Sequence, residues 1–99
     1  MDEKLRALVE DIRALFADAK IYLFGSRAQG KAKPGSDYDL IIVSDGFGQV
    51  SPADRPGFIW RHTWVGIAAD LLCYTPKEFE QASKNSFIVK DALTYAVTV

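Results

Sequence analysis

Two aspartates, Asp37 and Asp39, are the residues of this chain best suited to metal-dependent chemistry. They begin the run Asp-Tyr-Asp-Leu-Ile-Ile-Val, which is the clearest predicted β-strand in the sequence. Alternate side chains of a strand point to one face, so we expect both carboxylates on one side with Cα atoms ~6.5–7 Å apart. Such a pair can bind one or two hard cations, because Mg²⁺ prefers carboxylates together with substrate phosphates. The alternative is that Asp37 caps a turn and Asp39 lies at a solvated strand end.

Asp70 is a third carboxylate in an unusual setting. It is the only acidic or basic residue between His62 and Lys77, within the run Ile-Ala-Ala-Asp-Leu-Leu-Cys. Burial of an unpaired carboxylate costs several kcal/mol, so we expect a buried Asp70 to face a cation or hydrogen-bond donors. Beside the other two aspartates it would share a metal ion or act as a base. The alternative is a polar residue at a bulge or an edge, or a salt bridge to a lysine.

Gly25 and Ser26 follow a predicted strand and precede a predicted short helix. Glycine lets the backbone approach a ligand closely, and free N–H groups with the Ser26 hydroxyl can hold phosphate oxygens. Taken alone, the pair is usually only a turn. A phosphate-binding turn, a carboxylate pair and a third carboxylate, in this order, are the groups that metal-assisted phosphoryl or nucleotidyl transfer needs.

The first half of the chain predicts one helix and two strands that would position these residues. Residues 21–24 form an apolar run typical of a buried strand, 26–30 a short helix or turn, and 37–43 a second strand, preceded by a turn at Pro34-Gly35. The helix is predicted by apolar residues at i, i+3, i+4 and i+7. They are Leu5, Leu8, Val9, Ile12, Leu15 and Phe16.

The middle of the chain is less regular. Residues 44–56 are rich in Gly, Ser, Asp and Pro, which predicts a loop with at most a short helix. The aromatic segment 57–64 is compatible with a helix or a strand. The near-continuous apolar run 65–74 predicts another central strand.

The C-terminal part predicts two helices and a short strand. Thr75, Pro76 and Glu78 form a capping box with proline at the first helical position, which predicts a helix to about Lys84. Asn85-Ser86 can cap a second helix, and 97–99 is β-branched and typical of a short strand. Tyr74 and Phe79 are spaced for a hydrophobic staple. The side chains predicted to face inward on the second helix are Phe87, Ile88, Ala92 and Leu93.

Interleaved strands and helices predict an α/β (α+β) fold, a small mixed sheet with helices packed on it, formed as one domain over residues 1–99. The chain is 48% hydrophobic with a net charge of −1, so bulk attraction to nucleic acid is not expected. No apolar run approaches the ~20 residues of a membrane span, and the charged N-terminus is unlike a signal peptide. Cys73 is the single cysteine, which fits a reducing cytoplasm.

The joint pattern Gly-Ser-Arg-Ala-Gln-Gly at 25–30 and Ser-Asp-Tyr-Asp-Leu at 36–40 resembles the minimal nucleotidyltransferase (MNT) domains of the DNA polymerase beta-like nucleotidyltransferase superfamily. Ala-Asp-Leu-Leu at 69–72 looks like the third-carboxylate strand of that family. The resemblance covers essentially the whole chain and implies the polymerase beta-like palm fold. It also implies a Mg²⁺-dependent transfer of AMP from ATP.

The resemblance implies a role for each matching residue. Asp37, Asp39 and Asp70 would be the catalytic metal ligands, with Asp70 as the base for the incoming hydroxyl. Gly25 and Ser26 would bind the triphosphate. Arg27 is placed to help with phosphate charge or, alternatively, is a solvated arginine.

Many MNT proteins are paired with a small helical HEPN protein, an RNase toxin that the MNT antitoxin modifies on a tyrosine. The resemblance therefore implies a HEPN-type partner, in a homo- or hetero-oligomer. Two alternatives stay open: an idle module that neutralises a toxin by contact, or an enzyme acting on a small-molecule or RNA hydroxyl. The aromatic and arginine side chains of 46–64 form either a docking surface or part of the core.

Overall fold

In the computed structural model, which describes residues 2–99, the N-terminal apolar stripe forms helix α1 (Glu3–Leu15). The helix begins where the Asp2 side chain accepts a hydrogen bond from the Lys4 N–H at 2.7 Å, which satisfies one of the free amides of the first turn. The buried side of α1 is the predicted stripe, so the i, i+3, i+4 pattern is confirmed here. Its fully covered members are Leu5, Leu8, Val9 and Ile12.

Four strands form one mixed sheet in the order β3-β2-β1-β4. Strand β2 pairs antiparallel with β1 and parallel with β3, and β4 is antiparallel to β1. The strands are β1 (Lys20–Phe24), β2 (Tyr38–Val43), β3 (Ala69–Tyr74) and β4 (Val97–Thr98). The predicted mixed α+β sheet is confirmed, but β3 is an edge strand and not the predicted central one, and residues 65–68 lie outside it.

Four further helices and two short 3-10 helices complete the described chain. They are α2 (Gly25–Ala28), the 3-10 helices Asp45–Gln49 and Pro52–Asp54, α3 (Arg55–Arg61), α4 (Pro76–Asn85) and α5 (Phe87–Ala92). The segment that sequence alone left between helix and strand therefore contains α3. None of the helices within 2–99 is both long and apolar enough to cross a membrane.

The two faces of the sheet bury different clusters. Helices α1 and α3 pack on one face, where Ile12 and Ile59 meet β1, β2 and β3 through residues such as Ile21, Leu40 and Leu71. Helices α4 and α5 pack on the other face, with Phe79 and Ala92 against Ile41 and Val43. The alternation of side chains along β2 thus assigns Leu40 to the α1 face and Asp39 to the α4–α5 face.

The start of α4 is fixed by the predicted capping box. The Thr75 N–H donates to the Glu78 carboxylate at 2.8 Å, and the Glu78 N–H donates to the Thr75 hydroxyl at 3.2 Å. The Tyr74 and Phe79 rings lie 6.3 Å apart, so the hydrophobic staple is also formed. Glu78 further accepts hydrogen bonds from Arg55, which lowers the pKa of its carboxyl group and ties α4 to α3.

The inward-facing side chains predicted for the second C-terminal helix, α5, are confirmed for Ala92 and wrong for the other three. Val89 and Ala92 face inward, whereas Phe87 is 84% and Ile88 is 63% exposed, and Leu93 is also exposed. A helix of six residues is too short for its apolar pattern to select one face.

The aromatic segment mostly folds back into the core. Phe47 is fully buried, and Phe58 and Trp60 pack against the main cluster. Arg55 is only 4% exposed and is bonded to Glu78, so it is not the surface anchor that an interface would need. Trp64, at 92% exposure, is the aromatic of this segment that stays in solvent.

Candidate active site

The row Phe24, Asp39 and Asp70 runs across three strands of the sheet. Phe24 pairs with Asp39 in the antiparallel ladder, and Asp39 pairs with Asp70 in the parallel one. Paired residues in adjacent strands point to the same face, so the two carboxylates are neighbours on the α4–α5 side. The end of β1 and the starts of β2 and β3 meet at this edge of the sheet, which brings residues distant in sequence together.

Asp37 precedes β2 by one residue and is exposed. Its charge nevertheless reaches Asp39. The pKa of the Asp39 carboxyl is raised above its ordinary value, first because burial removes water from it, and then because the charges of Asp70 and Asp37 oppose its ionisation. The charges of the other two aspartates singled out from the sequence therefore both act on Asp39.

Asp70 is exposed, which corrects the expectation that it is buried. The apolar run around it is real, but β3 lies at the sheet edge and the position of Asp70 is open to solvent. The argument from the cost of a buried charge therefore does not apply to this residue. Asp70 is instead placed in the site by its pairing with Asp39 on the adjacent strand.

Gly25 brings the turn after β1 into direct contact with Asp39. Its φ of +73° lies in the left-handed region that favours glycine. A Cβ atom at this position would overlap the Asp39 carboxylate. Glycine is therefore required twice here, by the backbone conformation and by the closeness of the carboxylate.

An open cleft of about 560 Å³ lies over the two paired carboxylates. Its polar floor is Asp39 and Asp70, and its walls are apolar. These walls include Phe24 from β1, Trp60 from α3 and Ile88 from α5. A ligand in the cleft would reach the two carboxylates at the edge of the sheet formed by β3, and would also contact apolar side chains.

Arg27 is not part of this cleft. Its Nε and Nη2 atoms both donate to the Ser36 carbonyl oxygen, at 3.0 and 2.8 Å, and its guanidinium lies 4.2 Å from the centre of the Tyr38 ring. Tyr38 and Asp39 are consecutive on β2 and so face opposite sides of the sheet. The structure brings Gly25, Asp39 and Asp70 together and places the guanidinium of Arg27 behind them.

Comparison with known proteins decides the family. A model of the nucleotidyltransferase domain matches residues 5–97 of the chain. The chain belongs to the nucleotidyltransferase domain family.

Relatives and solved structures agree with this. The chain is 29% identical over 89 residues to the protein described as the probable protein adenylyltransferase MntA of Haemophilus influenzae, covering 88% of this chain and 78% of the relative. A crystal structure assigned as a nucleotidyltransferase from Sulfolobus solfataricus superposes with a TM-score of 0.61 at 24% identity, over 96% of this chain and 80% of the other. Another structure assigned to this activity gives 0.60 at 27% identity, over 84% and 90%.

Nucleotidyltransferases of this family generally use a divalent metal such as Mg²⁺. The donor chemistry of this chain fits such an ion, because three carboxylates supply the hard oxygen ligands that Mg²⁺ prefers. The pKa of Asp39 is raised first by burial and then by the charges of Asp70 and Asp37, and a bound cation would offset both effects. Within residues 2–99, no three acidic, His or Cys side chains already converge on one point. The nucleotidyltransferase thus presents neighbouring carboxylates and not a closed metal cage.

The sequence did not indicate that Tyr95 contacts the turn after β1. Its hydroxyl accepts a hydrogen bond from the Gly25 N–H at 3.1 Å, so the segment between α5 and β4 reaches the turn after β1. These residues lie 70 positions apart in the chain. No local signal could have paired them, although β4 beside β1 makes the approach a consequence of the topology.

Proposed function

We propose that this nucleotidyltransferase transfers AMP from ATP to a hydroxyl group on a partner protein, with Mg²⁺ as its metal. The observation that carries the proposal is the row of Asp39 and Asp70 on adjacent strands, with Gly25 packed against Asp39. A protein acceptor is supported by the similarity to a relative whose name states protein adenylyltransferase activity.

In this proposal the turn at Gly25 and Ser26 holds the triphosphate, chiefly through Ser26, because the Gly25 N–H is already donated to the Tyr95 hydroxyl. None of the hydrogen bonds among residues 2–99 engages the Ser26 hydroxyl, so it is free to donate to a phosphate oxygen. Asp37, Asp39 and Asp70 would hold the metal, which would supply charge neutralisation on the triphosphate and lower the pKa of the attacking hydroxyl.

Asp70 accepts the proton of the acceptor hydroxyl in this scheme. Its exposure at the sheet edge suits that role, because an incoming hydroxyl can reach it from solvent. The acceptor oxygen forms a bond to the α-phosphorus of ATP, the bond from that phosphorus to the bridging oxygen breaks, and pyrophosphate leaves. The product is the acceptor esterified with AMP.

The apolar walls of the cleft favour a protein acceptor over a nucleic acid. Its lining carries two carboxylates and no basic side chain, so it lacks the lysine and arginine side chains that bind the successive phosphates of an RNA strand. Ile88 belongs both to the cleft and to an exposed apolar surface on α5, which suits a folded protein substrate. The family resemblance names a HEPN-type toxin as this partner and gives the chain the role of its antitoxin.

Incubation with labelled ATP, Mg²⁺ and the protein encoded beside this one tests the proposal. We expect mass spectrometry to find one or more AMP units on a hydroxyl side chain of the neighbour, and none with Asp39→Asn. Tight binding of the neighbour without any mass increment would instead indicate a module that neutralises by contact. Label on RNA or on a small molecule alone would show a different acceptor.

A further inference from the structure

The guanidinium of Arg27 is held by contacts within the protein itself. Two of its N–H groups converge on the Ser36 carbonyl oxygen, and its plane lies over the Tyr38 ring. Charge-assisted paired hydrogen bonds and a cation–π contact each favour one fixed orientation of an arginine. Because Arg27 lies on the face of the sheet opposite the cleft, a contact with a phosphate in the cleft would require it to leave both partners.

These partners are the two residues that flank Asp37. On the N-terminal side, Arg27 holds the carbonyl of Ser36. On the C-terminal side, the Tyr38 N–H donates to the Ala68 carbonyl at 3.0 Å, and its hydroxyl donates to Asp2 at 2.8 Å. The backbone is therefore held on each side of Asp37, while the Asp37 side chain stays exposed.

Arg27 approaches this segment from the face opposite the cleft. It lines a cavity of about 400 Å³ together with Asp2, Leu5 and Tyr38, on the α1 side of the sheet. The segment it holds would otherwise be loosely fixed, because residues 29–37 form no helix or strand and include left-handed Gly30 and Gly35.

We propose that Arg27 is a positioning residue that fixes the backbone at Ser36, so that the Asp37 carboxylate stays beside Asp39, and that it does not contact the nucleotide. This rests on the proposed function, since it concerns the metal-binding role of Asp37. It replaces the phosphate-binding role that the family resemblance gave to Arg27. Positioning contacts behind metal ligands typically change metal affinity or activity by ~10–100-fold when removed.

Arg27→Lys and Arg27→Gln distinguish the two roles. Lysine keeps the positive charge but lacks the planar fork that reaches one carbonyl twice and stacks on a ring. The matched control is Arg6→Lys, at an exposed position on α1. Each full-length protein is examined by amide hydrogen exchange without ligands, by Mn²⁺ titration without nucleotide, and by kcat and KM for ATP.

We expect both Arg27 variants to weaken Mn²⁺ binding by about 10-fold or more and to speed exchange at the Asp37 and Tyr38 amides relative to those of α1. KM for ATP should change less than kcat. The comparison with α1 amides separates local loosening from general loss of stability. The Arg6→Lys control should match the wild type.

The opposite pattern would overturn the proposal. If Arg27 binds phosphate as a charge, Arg27→Lys keeps near-normal kinetics, and Arg27→Gln raises KM for ATP with Mn²⁺ affinity and amide exchange unchanged. Unchanged behaviour in both variants would equally reject a positioning role. Failure of the wild type to transfer AMP to any acceptor would refute the proposed function, while amide exchange and Mn²⁺ binding would still decide the role of Arg27.

Discussion

At the scale of single residues, Gly25 shows how closely the turn after β1 is fitted to the carboxylates. Gly25→Ala adds a methyl group where the Asp39 carboxylate lies. Gly30→Ala is a matched control, because Gly30 has a similar φ of +70° but nothing within 4 Å of its added methyl group. We expect both variants to lose about 1 kcal/mol from backbone strain, and only Gly25→Ala to lose transfer activity as well.

The measurement is urea unfolding together with AMP transfer. Equal activity of the two alanine variants would show that the contact between Gly25 and Asp39 is not needed for catalysis.

Asp39 carries a charge that destabilises the metal-free fold. Its folded-state pKa is raised, so the folded chain holds the proton more tightly than the unfolded chain does. The free energy of unfolding therefore falls as pH rises from the ordinary aspartate range through the folded pKa, and stays lower above it. Asp39→Asn removes this effect, and we therefore expect a higher melting temperature than that of the wild type at pH 7 without metal.

The control for that measurement is Asp11→Asn on α1, which should leave the melting temperature nearly unchanged. Asp39→Asn should at the same time abolish AMP transfer. A melting temperature at or below that of the wild type would contradict a destabilising charge at Asp39.

The raised pKa of Asp39 also predicts how metal binding depends on pH. The proton must leave Asp39 before a cation binds, so acidification should weaken Mn²⁺ binding at a higher pH than an ordinary aspartate, near 3.8, would require. Asp70→Asn removes one cause of the raised pKa. A ¹³C titration of the metal-free protein should show the Asp39 midpoint move to lower pH in this variant and stay constant in Asp91→Asn.

At the scale of elements, α4 is the segment whose position was read most directly from the sequence. Its N-terminal signals are local, and each forms the expected contact. Thr75→Ala should lose about 1 kcal/mol, lowering the melting temperature by about 4–8 °C. Ser51→Ala is the control, because Ser51 precedes a 3-10 helix without capping it through its side chain. An equal loss of stability in Ser51→Ala would show that the side-chain cap of Thr75 does not specifically stabilise α4.

Local signals also explain which predictions failed. α1 has enough turns for its apolar stripe to select one face, and the run 37–43 is apolar enough to be recognised as a buried strand, whose geometry then places Asp39 and Leu40 on opposite faces. Whether a strand is central or at an edge depends on partners elsewhere in the chain, so β3 was misplaced and Asp70 was expected to be buried. The link from Tyr95 to Gly25 is likewise a product of tertiary structure.

At the scale of the whole molecule, the cleft lies between the covered α1–α3 face and helix α5, which leaves apolar side chains exposed. The α1–α3 face is well covered, and Trp60 packs against its core while its remaining surface lines the cleft. Across the cleft, α5 leaves apolar side chains exposed beside the site. Partner recognition is therefore expected on the α5 side, and most of the aromatic segment 46–64, for which the sequence left a docking surface and a core role open, is part of the core.

Ile88→Ser tests whether the α5 side of the cleft recognises the partner. Ile88 is 63% exposed and lines the cleft, so its loss should cost little stability and should weaken transfer to a protein acceptor by raising the KM for that acceptor. ATP binding should be unchanged, because Gly25 and Ser26 are intact. Val97→Ser is the matched control: it is 47% exposed but lines the cavity beside Asp2 on the α1 side.

Each serine variant replaces an exposed β-branched residue, so both make the surface more polar. Only Ile88→Ser changes the cleft, so a difference between them reports on recognition of the acceptor. Transfer that falls equally in both, or a change in KM for ATP with Ile88→Ser, would argue against an acceptor surface on α5. A selective rise in acceptor KM would place the acceptor hydroxyl on the same side of the sheet as Asp70. That is where the proposed base can reach it, because Asp70 is exposed and Ile88 borders the same cleft.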